Sequence, residues 1–216
     1  MKRALDIVLS TAALLLLLPL FLPLMVILRL TGEGEVFYRQ ERIGHQGRRF
    51  KLIKFVTMIK ASPNLGTRTI TTKNDPRVLP LGRFLRKTKI NELPQILNVL
   101  TGDMAIVGPR PLTQETFCLY SEEVQKVVVR NKPGLTGIGS VVFRNEEELL
   151  ANCREPVHEF MRREIAPLKG ALELWYDRKK SMCVDLGIIF LTALAIVKPG
   201  SQLHYRWFPD LPRKAT

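Results

Sequence analysis

Two adjacent polar residues, Asn91 and Glu92, stand where a helix is predicted to begin, and basic residues flank them on both sides. Arg86 precedes the pair, and Arg110 follows it in a stiff Pro-Arg-Pro segment. A helix N-terminus carries unpaired N–H groups and the positive end of the helix dipole, which suits phosphate. A carboxylate in this position, among arginines, therefore predicts a site for an anionic substrate.

The helix that would position this pair is predicted from the spacing of the apolar residues. These recur every three or four positions, at Ile90, Leu93, Ile96, Leu97 and Leu100. Such spacing predicts one buried helix face. The opposite, polar face would carry Asn91, Glu92, Gln95 and Asn98. Because Pro94 has no N–H and is tolerated only in a first turn, we expect the helix to begin near Asn91.

An ordered series of motifs extends from this stretch. It comprises Arg86-Lys87-Thr88, Asn91-Glu92-Leu93-Pro94-Gln95, Asn98-Val99-Leu100, Gly102-Asp103-Met104 and Val107-Gly108-Pro109-Arg110-Pro111. The series resembles the bacterial sugar transferases, the monotopic phosphoglycosyl transferases. Residues 54–58, 132–137 and 184–188 add further matches, so recognisable motifs extend over about residues 2–198.

The resemblance implies an enzyme that transfers a phospho-sugar from a UDP-sugar to undecaprenyl phosphate and releases UMP, at the cytoplasmic face of the bacterial inner membrane. By position in the motifs, Asn91 and Glu92 would be the catalytic pair, and Glu92 would also bind Mg²⁺. The residues that would bind the substrate are Lys54, Arg86, Arg110 and Arg144. A homodimer is a candidate assembly.

The chain departs from the family pattern at Asn91, where the family has the aspartate that serves as its covalent nucleophile. A neutral amide is a poor nucleophile and a weak Mg²⁺ ligand. The chain could be an engineered Asp-to-Asn trap, or a natural variant in which Glu92, Asp103 or the lipid phosphate attacks. It could also be an inactive homologue that binds substrate or acts as a scaffold. A purely structural interpretation remains, since asparagine is among the best N-cap residues.

An apolar run over residues 7–28 follows a basic N-terminus. About 20 such residues are enough to cross a bilayer. Basic residues flank the run on both sides, however, which gives a poor orientation signal. Pro19 and Pro23 each remove a helix hydrogen bond. We therefore favour a re-entrant helix with its membrane break at Leu18-Pro19. The family has a re-entrant helix bent at a Ser-Pro pair, and Leu18 takes the serine's place here. A signal peptide is disfavoured by the length of the run and the lack of a cleavage site.

The composition favours a membrane surface as the partner of this basic chain. The net charge is +13 over 216 residues. A basic chain with a long apolar segment is typical of proteins on anionic lipid. We expect no nucleic-acid partner, because no zinc-finger spacing and no aromatic-rich basic motif is present. Three scattered cysteines, an odd number, indicate a reducing compartment.

These observations predict an α/β, mostly helical, monotopic membrane protein. Residues 1–31 would form the re-entrant anchoring helix, and residues 32–216 a small globular cytosolic transferase domain with interfacial amphipathic helices. We expect a strand within residues 47–58 and a basic amphipathic helix over 79–87. One helix is expected over 113–126. A further apolar helix over 184–197 is too short to cross a bilayer.

Overall fold

The computed structural model describes residues 2–65, 75–151, 153, 155–198 and 200–213. Within these residues the chain is mostly helical. Its α-helices are α1 (Lys2–Leu30), α2 (Pro80–Lys87), α3 (Gln95–Thr101), α4 (Gln114–Phe117), α5 (Glu122–Arg130), α6 (Ile138–Val142), α7 (Glu146–Ala151), α8 (Val157–Phe160), α9 (Ala166–Lys179), α10 (Met182–Val197) and α11 (Leu203–Trp207). Its strands are β1 (Phe37–Ile43), β2 (Arg49–Phe55), β3 (Ala105–Val107) and β4 (Gly134–Thr136). Three 3₁₀ turns occur at His45–Gly47, Ser62–Asn64 and Ile90–Glu92, and a π-helical segment occurs at Met161–Ile165.

Helix α1 is one uninterrupted helix that contains both Pro19 and Pro23. By length and composition it could cross a membrane, with a mean hydropathy of 2.6 over its apolar window and only 17% of that window buried. The membrane break expected at Pro19 is therefore not an interruption of the helix. Each proline removes one hydrogen bond, and the neighbouring bonds still hold the helix together.

The chain forms two compact units, and the first contains residues 1–41 and 50–102. Its apolar core joins α1 to β2 and α2. Phe21 and Leu24 of α1 pack in this core with Phe55 of β2 and Leu85 of α2. The Phe55 ring meets Phe21 edge to face at 5.2 Å and stacks on Phe37 at 5.5 Å. Helix α1 therefore belongs to the same unit as Asn91 and Glu92.

The second unit contains residues 42–49 and 103–216. Strands β3 and β4 pair in parallel, with Ala105 opposite Gly134 and Val107 opposite Thr136. A parallel pair requires a crossover connection, which α4 and α5 provide. Helices α6, α9 and α10 cover the pair with a core that includes Ile138, Leu172, Trp175, Tyr176 and Ile188.

Several predicted elements are confirmed and one is wrong. Strand β2 lies within the predicted segment 47–58, and helices α2 and α10 match the predictions at 79–87 and 184–197 to within two residues. The single helix expected over 113–126 is instead two helices, α4 and α5. Ser121 separates them because its side chain accepts the backbone N–H of Val124 and caps the start of α5.

Candidate active site

The turn that carries Asn91 and Glu92 differs from its predicted form. Lys89 adopts a left-handed conformation (φ 61°, ψ 12°), and a 3₁₀ turn follows over Ile90–Glu92. Helix α3 then begins at Gln95, with Pro94 as its N-cap. The expected helix start near Asn91 is therefore wrong by four residues. The reversal at Lys89 and the proline, which lacks an N–H to donate, favour separate turns over one continuous helix.

Three residues of the predicted polar face are buried, although amphipathic spacing predicts that this face points outward. Only 5% of Asn91, 4% of Gln95 and 2% of Asn98 is exposed. Asn98 accepts the backbone N–H of Ile53 at 3.0 Å and donates to the carbonyl of Lys51 at 2.9 Å. A side-chain amide that bonds both backbone groups of a strand satisfies its own polar atoms, so its burial is tolerated.

Strand β2 and the Asn91-Glu92 turn bring two predicted site residues together. Lys54 Nζ lies 3.0 Å from Glu92 Oε1, and their side chains are 17% and 21% exposed. The pair is thus shielded from bulk water. Because water screens charges, the two charges of this pair interact more strongly than those of a surface pair.

One residue before Glu92 in the same turn, the Asn91 side chain presents a buried acceptor. Its Oδ1 has no hydrogen-bond partner among the described residues. Buried acceptors are normally satisfied, so this atom is suited to a donor or a cation supplied by a ligand.

The residues of this turn fit Mg²⁺ only in part. No group of three or more His, Cys, Asp or Glu side chains that could hold a metal occurs in the part of the chain that the structure describes. Mg²⁺ usually binds through one or two protein oxygens together with substrate phosphates and water. Glu92 and the Asn91 amide oxygen suit that shared arrangement, and an all-protein metal cage is not formed among the described residues.

The predicted arginines occupy different elements. In the first unit, Arg86 is half-buried in the last turn of α2. In the second unit, Arg110 is exposed directly after β3, and Arg144 is half-buried in the turn between α6 and α7.

Two sequence motifs of the second unit, residues 107–111 and 132–137, bond directly to each other. The Gly108 N–H donates to the Thr136 carbonyl at 3.0 Å, and the Gly134 N–H donates to the Pro109 carbonyl at 2.8 Å. A Cβ on Gly108 would lie 2.3 Å from the Lys132 carbonyl oxygen, so only glycine fits there. The glycines of both motifs thus bring the backbones together and fix the segment that carries Arg110.

A buried charged group behind this segment was missed by the sequence reasoning. Lys169 and Glu173 of α9 line a cavity together with Arg110, Leu112, Tyr120, Val128 and Gly139. Burial raises the pKa of Glu173 to about 7. Burial lowers the pKa of Lys169, although Glu146, 2.6 Å away, opposes that shift. The sequence signal was two opposite charges four residues apart on an otherwise apolar helix stretch.

Helix α1 is long and apolar enough to cross a membrane, and the Lys54–Glu92 pair is shielded within the same unit. The chain belongs to the bacterial sugar transferase family, whose family model matches residues 1–199. The family resemblance of the sequence motifs is thereby confirmed.

Relatives from three bacteria show what this chain is similar to. The exopolysaccharide production protein ExoY of Rhizobium meliloti is 33% identical over 211 residues, which cover 90% of this chain and 84% of that protein. The UDP-glucose:undecaprenyl-phosphate glucose-1-phosphate transferase of Escherichia coli is 39% identical over 195 residues, 89% of this chain but 39% of that protein. The undecaprenyl-phosphate galactose phosphotransferase of Salmonella typhimurium is 30% identical over 212 residues, 92% of this chain and 40% of that protein.

Proposed function

We propose that the protein transfers a phospho-sugar from a UDP-sugar to undecaprenyl phosphate and releases UMP, as the first membrane step in assembling a polysaccharide or glycoconjugate. The observation that carries this proposal is the Lys54–Glu92 pair, together with the buried oxygen of the preceding residue, Asn91, which has no hydrogen-bond partner among the described residues. Relatives whose names describe sugar transfer to undecaprenyl phosphate support it.

Each site residue has a chemical role in this proposal. Glu92 would hold Mg²⁺, and the metal would supply positive charge that neutralises phosphate charge. Lys54 donates to a phosphate oxygen as a compact positive charge, and Arg86 adds a second cation in the same unit. Arg110 and Arg144 bind substrate oxygens through the planar guanidinium, which suits paired hydrogen bonds.

The identity of the nucleophile depends on Asn91. Its neutral amide does not supply the attacking oxygen that an aspartate would. In a natural variant, a carboxylate oxygen of Glu92 or Asp103, or an oxygen of the lipid phosphate, attacks the β-phosphorus. The new P–O bond forms as the bond to UMP breaks, and UMP leaves with that electron pair. A second candidate function follows from the same residue: an engineered or natural inactive form that binds the substrate without transferring it, or acts as a scaffold.

Release of UMP by the purified protein tests this proposal. The reaction contains Mg²⁺, undecaprenyl phosphate and a panel of UDP-sugars, and an Asn91→Asp variant is assayed beside the wild type. Asn64→Asp makes the same chemical change at an exposed position and is the matched control. Turnover by the wild type at a rate near that of Asn91→Asp supports attack by another group. Turnover by Asn91→Asp alone supports the inactive form, and no turnover by either protein refutes the transferase proposal.

The proposed membrane placement is monotopic, with α1 re-entrant at the cytoplasmic face of the bacterial inner membrane. In support, both ends of α1 contact the same compact unit. The Arg3 guanidinium donates to the carbonyls of Val99 and Leu100 at 2.5 and 2.8 Å, and Leu28 packs near the other end of the helix. A straight spanning helix would place these ends on opposite sides of the bilayer and break one set of contacts.

Two helices have the character of membrane-interface helices. In the first unit, α2 exposes Phe84 beside the basic residues Arg83 and Lys87. In the second unit, α10 exposes Leu186 and Phe190, each about half accessible. Exposed apolar side chains near basic ones, as on α2, are typical of helices that lie on lipid headgroups.

Protease protection of tags on both termini, in sealed inverted and right-side-out vesicles, tests the topology. Both tags should be cleaved in the inverted vesicles and protected in the right-side-out ones. Termini on opposite sides would refute the re-entrant arrangement. The homodimer stays a prediction, which the mass of the protein in nanodiscs can test.

A further inference from the structure

The Pro-Arg-Pro segment, residues 109–111, has a single backbone donor, because proline has no N–H. Its first carbonyl accepts the N–H of Gly134 at 2.8 Å, and its last carbonyl accepts from the guanidinium of Arg42 at 3.0 Å. The single N–H of the segment, that of Arg110, donates to the carboxyl group of Glu173 on α9.

These contacts hold the peptide plane before Arg110 at both ends. The carbonyl of that plane bonds to Gly134, and its N–H bonds to Glu173. The proline rings fix φ on either side, and a residue before proline is restricted to extended conformations. With the plane held, the direction in which the Arg110 side chain leaves the backbone is set.

The fold buries Glu173 and leaves space for its carboxyl group. The residue is 6% exposed, and a Cβ on Gly139 would lie 3.0 Å from Glu173 Oε1, so the glycine makes room for the carboxyl group. Glu173 Oε2 has no hydrogen-bond partner among the described residues. A buried carboxyl group with an unsatisfied oxygen is costly, which calls for a role beyond packing.

The charged and titratable groups around Glu173 are few. Lys169, on the same helix, attracts its charge, but the Lys169 ammonium is bonded to Glu146 at 2.6 Å. Arg110 and Tyr120 line the same cavity. In the part of the chain described, Glu173 forms no ion pair within 4 Å. Its carboxyl group accepts a hydrogen bond from the backbone N–H of Arg110.

We propose that Glu173 is a positioning residue for Arg110, whose carboxyl group fixes the backbone from which the arginine side chain extends to a substrate phosphate. The phosphate contact rests on the proposed function, whereas the backbone contact does not. The two parts can therefore be measured separately.

The backbone contact is tested by NMR of protein labelled with ¹⁵N-arginine in detergent micelles. The Arg110 amide signal is identified by its loss in Arg110→Lys. Because the pKa of Glu173 is about 7, this signal should titrate with a midpoint near neutral pH. It should move upfield as the pH falls, since a protonated carboxyl group is a weaker acceptor than a carboxylate.

Two substitutions of Glu173 distinguish the effect of its acceptor oxygen on the Arg110 amide from the effect of its charge. Glu173→Gln keeps an acceptor oxygen but should abolish the titration of the Arg110 amide. Glu173→Leu removes the acceptor, so the amide should lie upfield at every pH and exchange faster with solvent. The matched control is Glu164→Gln, a glutamate of the π-helical segment that pairs with Arg163, and it should leave the titration unchanged. An Arg110 amide that does not titrate in the wild type, or titrates equally in Glu173→Gln, overturns the proposal.

The phosphate contact is tested by calorimetric binding of UDP with Mg²⁺ to the same proteins. We expect UDP binding to weaken about tenfold in Glu173→Leu and about twofold or less in Glu173→Gln, on the order of one charge-assisted hydrogen bond. Equal binding by all variants that retain their fold overturns the positioning role. If the wild type itself binds no UDP, the proposed function fails, while the NMR titration still decides whether Glu173 holds the Arg110 backbone.

Discussion

The buried carboxyl group of Glu173 should make the stability of the protein depend on pH. Burial raises its pKa from 4.5 to about 7 in the folded state. Below pH 4.5 the group is protonated in both the folded and unfolded chains, so its ionisation does not lower the free energy of unfolding. As the pH rises from 4.5 to 7, the unfolded chain releases this proton and the folded chain keeps it, so the folded state loses stability. The loss is complete above about pH 7.

The magnitude follows from the two pKa values. A difference of about 2.5 pKa units at 1.36 kcal/mol per unit gives ~3 kcal/mol in total, since the group is fully buried. Most of it, ~2.5 kcal/mol, falls between pH 5 and pH 8 by the same linkage relation. Glu173→Gln has no ionisable group and should escape this loss. For a chain of this size, the melting temperature of the variant minus that of the wild type should grow by ~5–10 °C between pH 5 and pH 8.

Thermal unfolding followed by tryptophan fluorescence measures this difference. Trp175 is buried in the core of the unit that contains Glu173, so its emission reports the relevant transition. Taking the difference between variant and wild type at each pH removes the contribution of every other carboxyl group. Glu164→Gln serves again as control and should give a difference that hardly changes with pH. A Glu173→Gln difference that stays flat from about pH 5 to pH 8 would show that Glu173 ionises normally and that the reasoning from burial is wrong.

Two further substitutions test contacts that hold the first unit together. Asn98→Ala should destabilise the protein by ~1–3 kcal/mol, since it leaves the Ile53 N–H and the Lys51 carbonyl without their partner. Arg77→Met should cost ~3–5 kcal/mol, because it removes the guanidinium that forms a buried ion pair with Asp75, 2.6 Å away and 4% exposed. Melting temperature in the same detergent measures both effects.

Controls for these two changes come from the same unit. Arg83→Met removes an exposed arginine of α2, and its effect should stay within ~0.5 kcal/mol. Asn98→Asp keeps the acceptor for the Ile53 N–H but places a charged oxygen against the Lys51 carbonyl at a buried position, so at neutral pH it should destabilise the protein at least as much as Asn98→Ala. An Arg77→Met protein as stable as Arg83→Met would show that the Arg77–Asp75 ion pair does not stabilise the fold.

Much of the candidate site could be predicted from the sequence, because its local elements follow local rules. Alternation along residues 47–58 predicts strand β2 and hence a fixed direction for Lys54. The motif around Asn91 and Glu92 singles out the turn. What the sequence does not contain is the pairing of Lys54 with Glu92 across 38 positions, since this requires the packing of β2 beside the turn.

The errors have physical causes of the same kind. Helical spacing predicts an outward polar face for Asn98, but side-chain bonds to β2 allow that face to be buried. Glu173 was overlooked because a glutamate on a helix is normally solvated. Its burial depends on two distant features, the glycine at 139 and the donor at Arg110, which only the tertiary structure brings to it.

Under the proposed function, the buried oxygen of Asn91, which has no hydrogen-bond partner among the described residues, separates substrate binding from transfer. A buried acceptor without a donor costs the free protein ~1–3 kcal/mol, and a ligand that supplies a donor or a cation recovers this cost. Asparagine at this position therefore favours ligand binding at the turn whether or not any group attacks. Aspartate would add a charge that binds Mg²⁺ more strongly and can act as the nucleophile. If wild type and Asn91→Asp are both stabilised against heat by UDP with Mg²⁺ but only Asn91→Asp releases UMP, the turn is a binding site from which a single atom exchange has removed the chemistry.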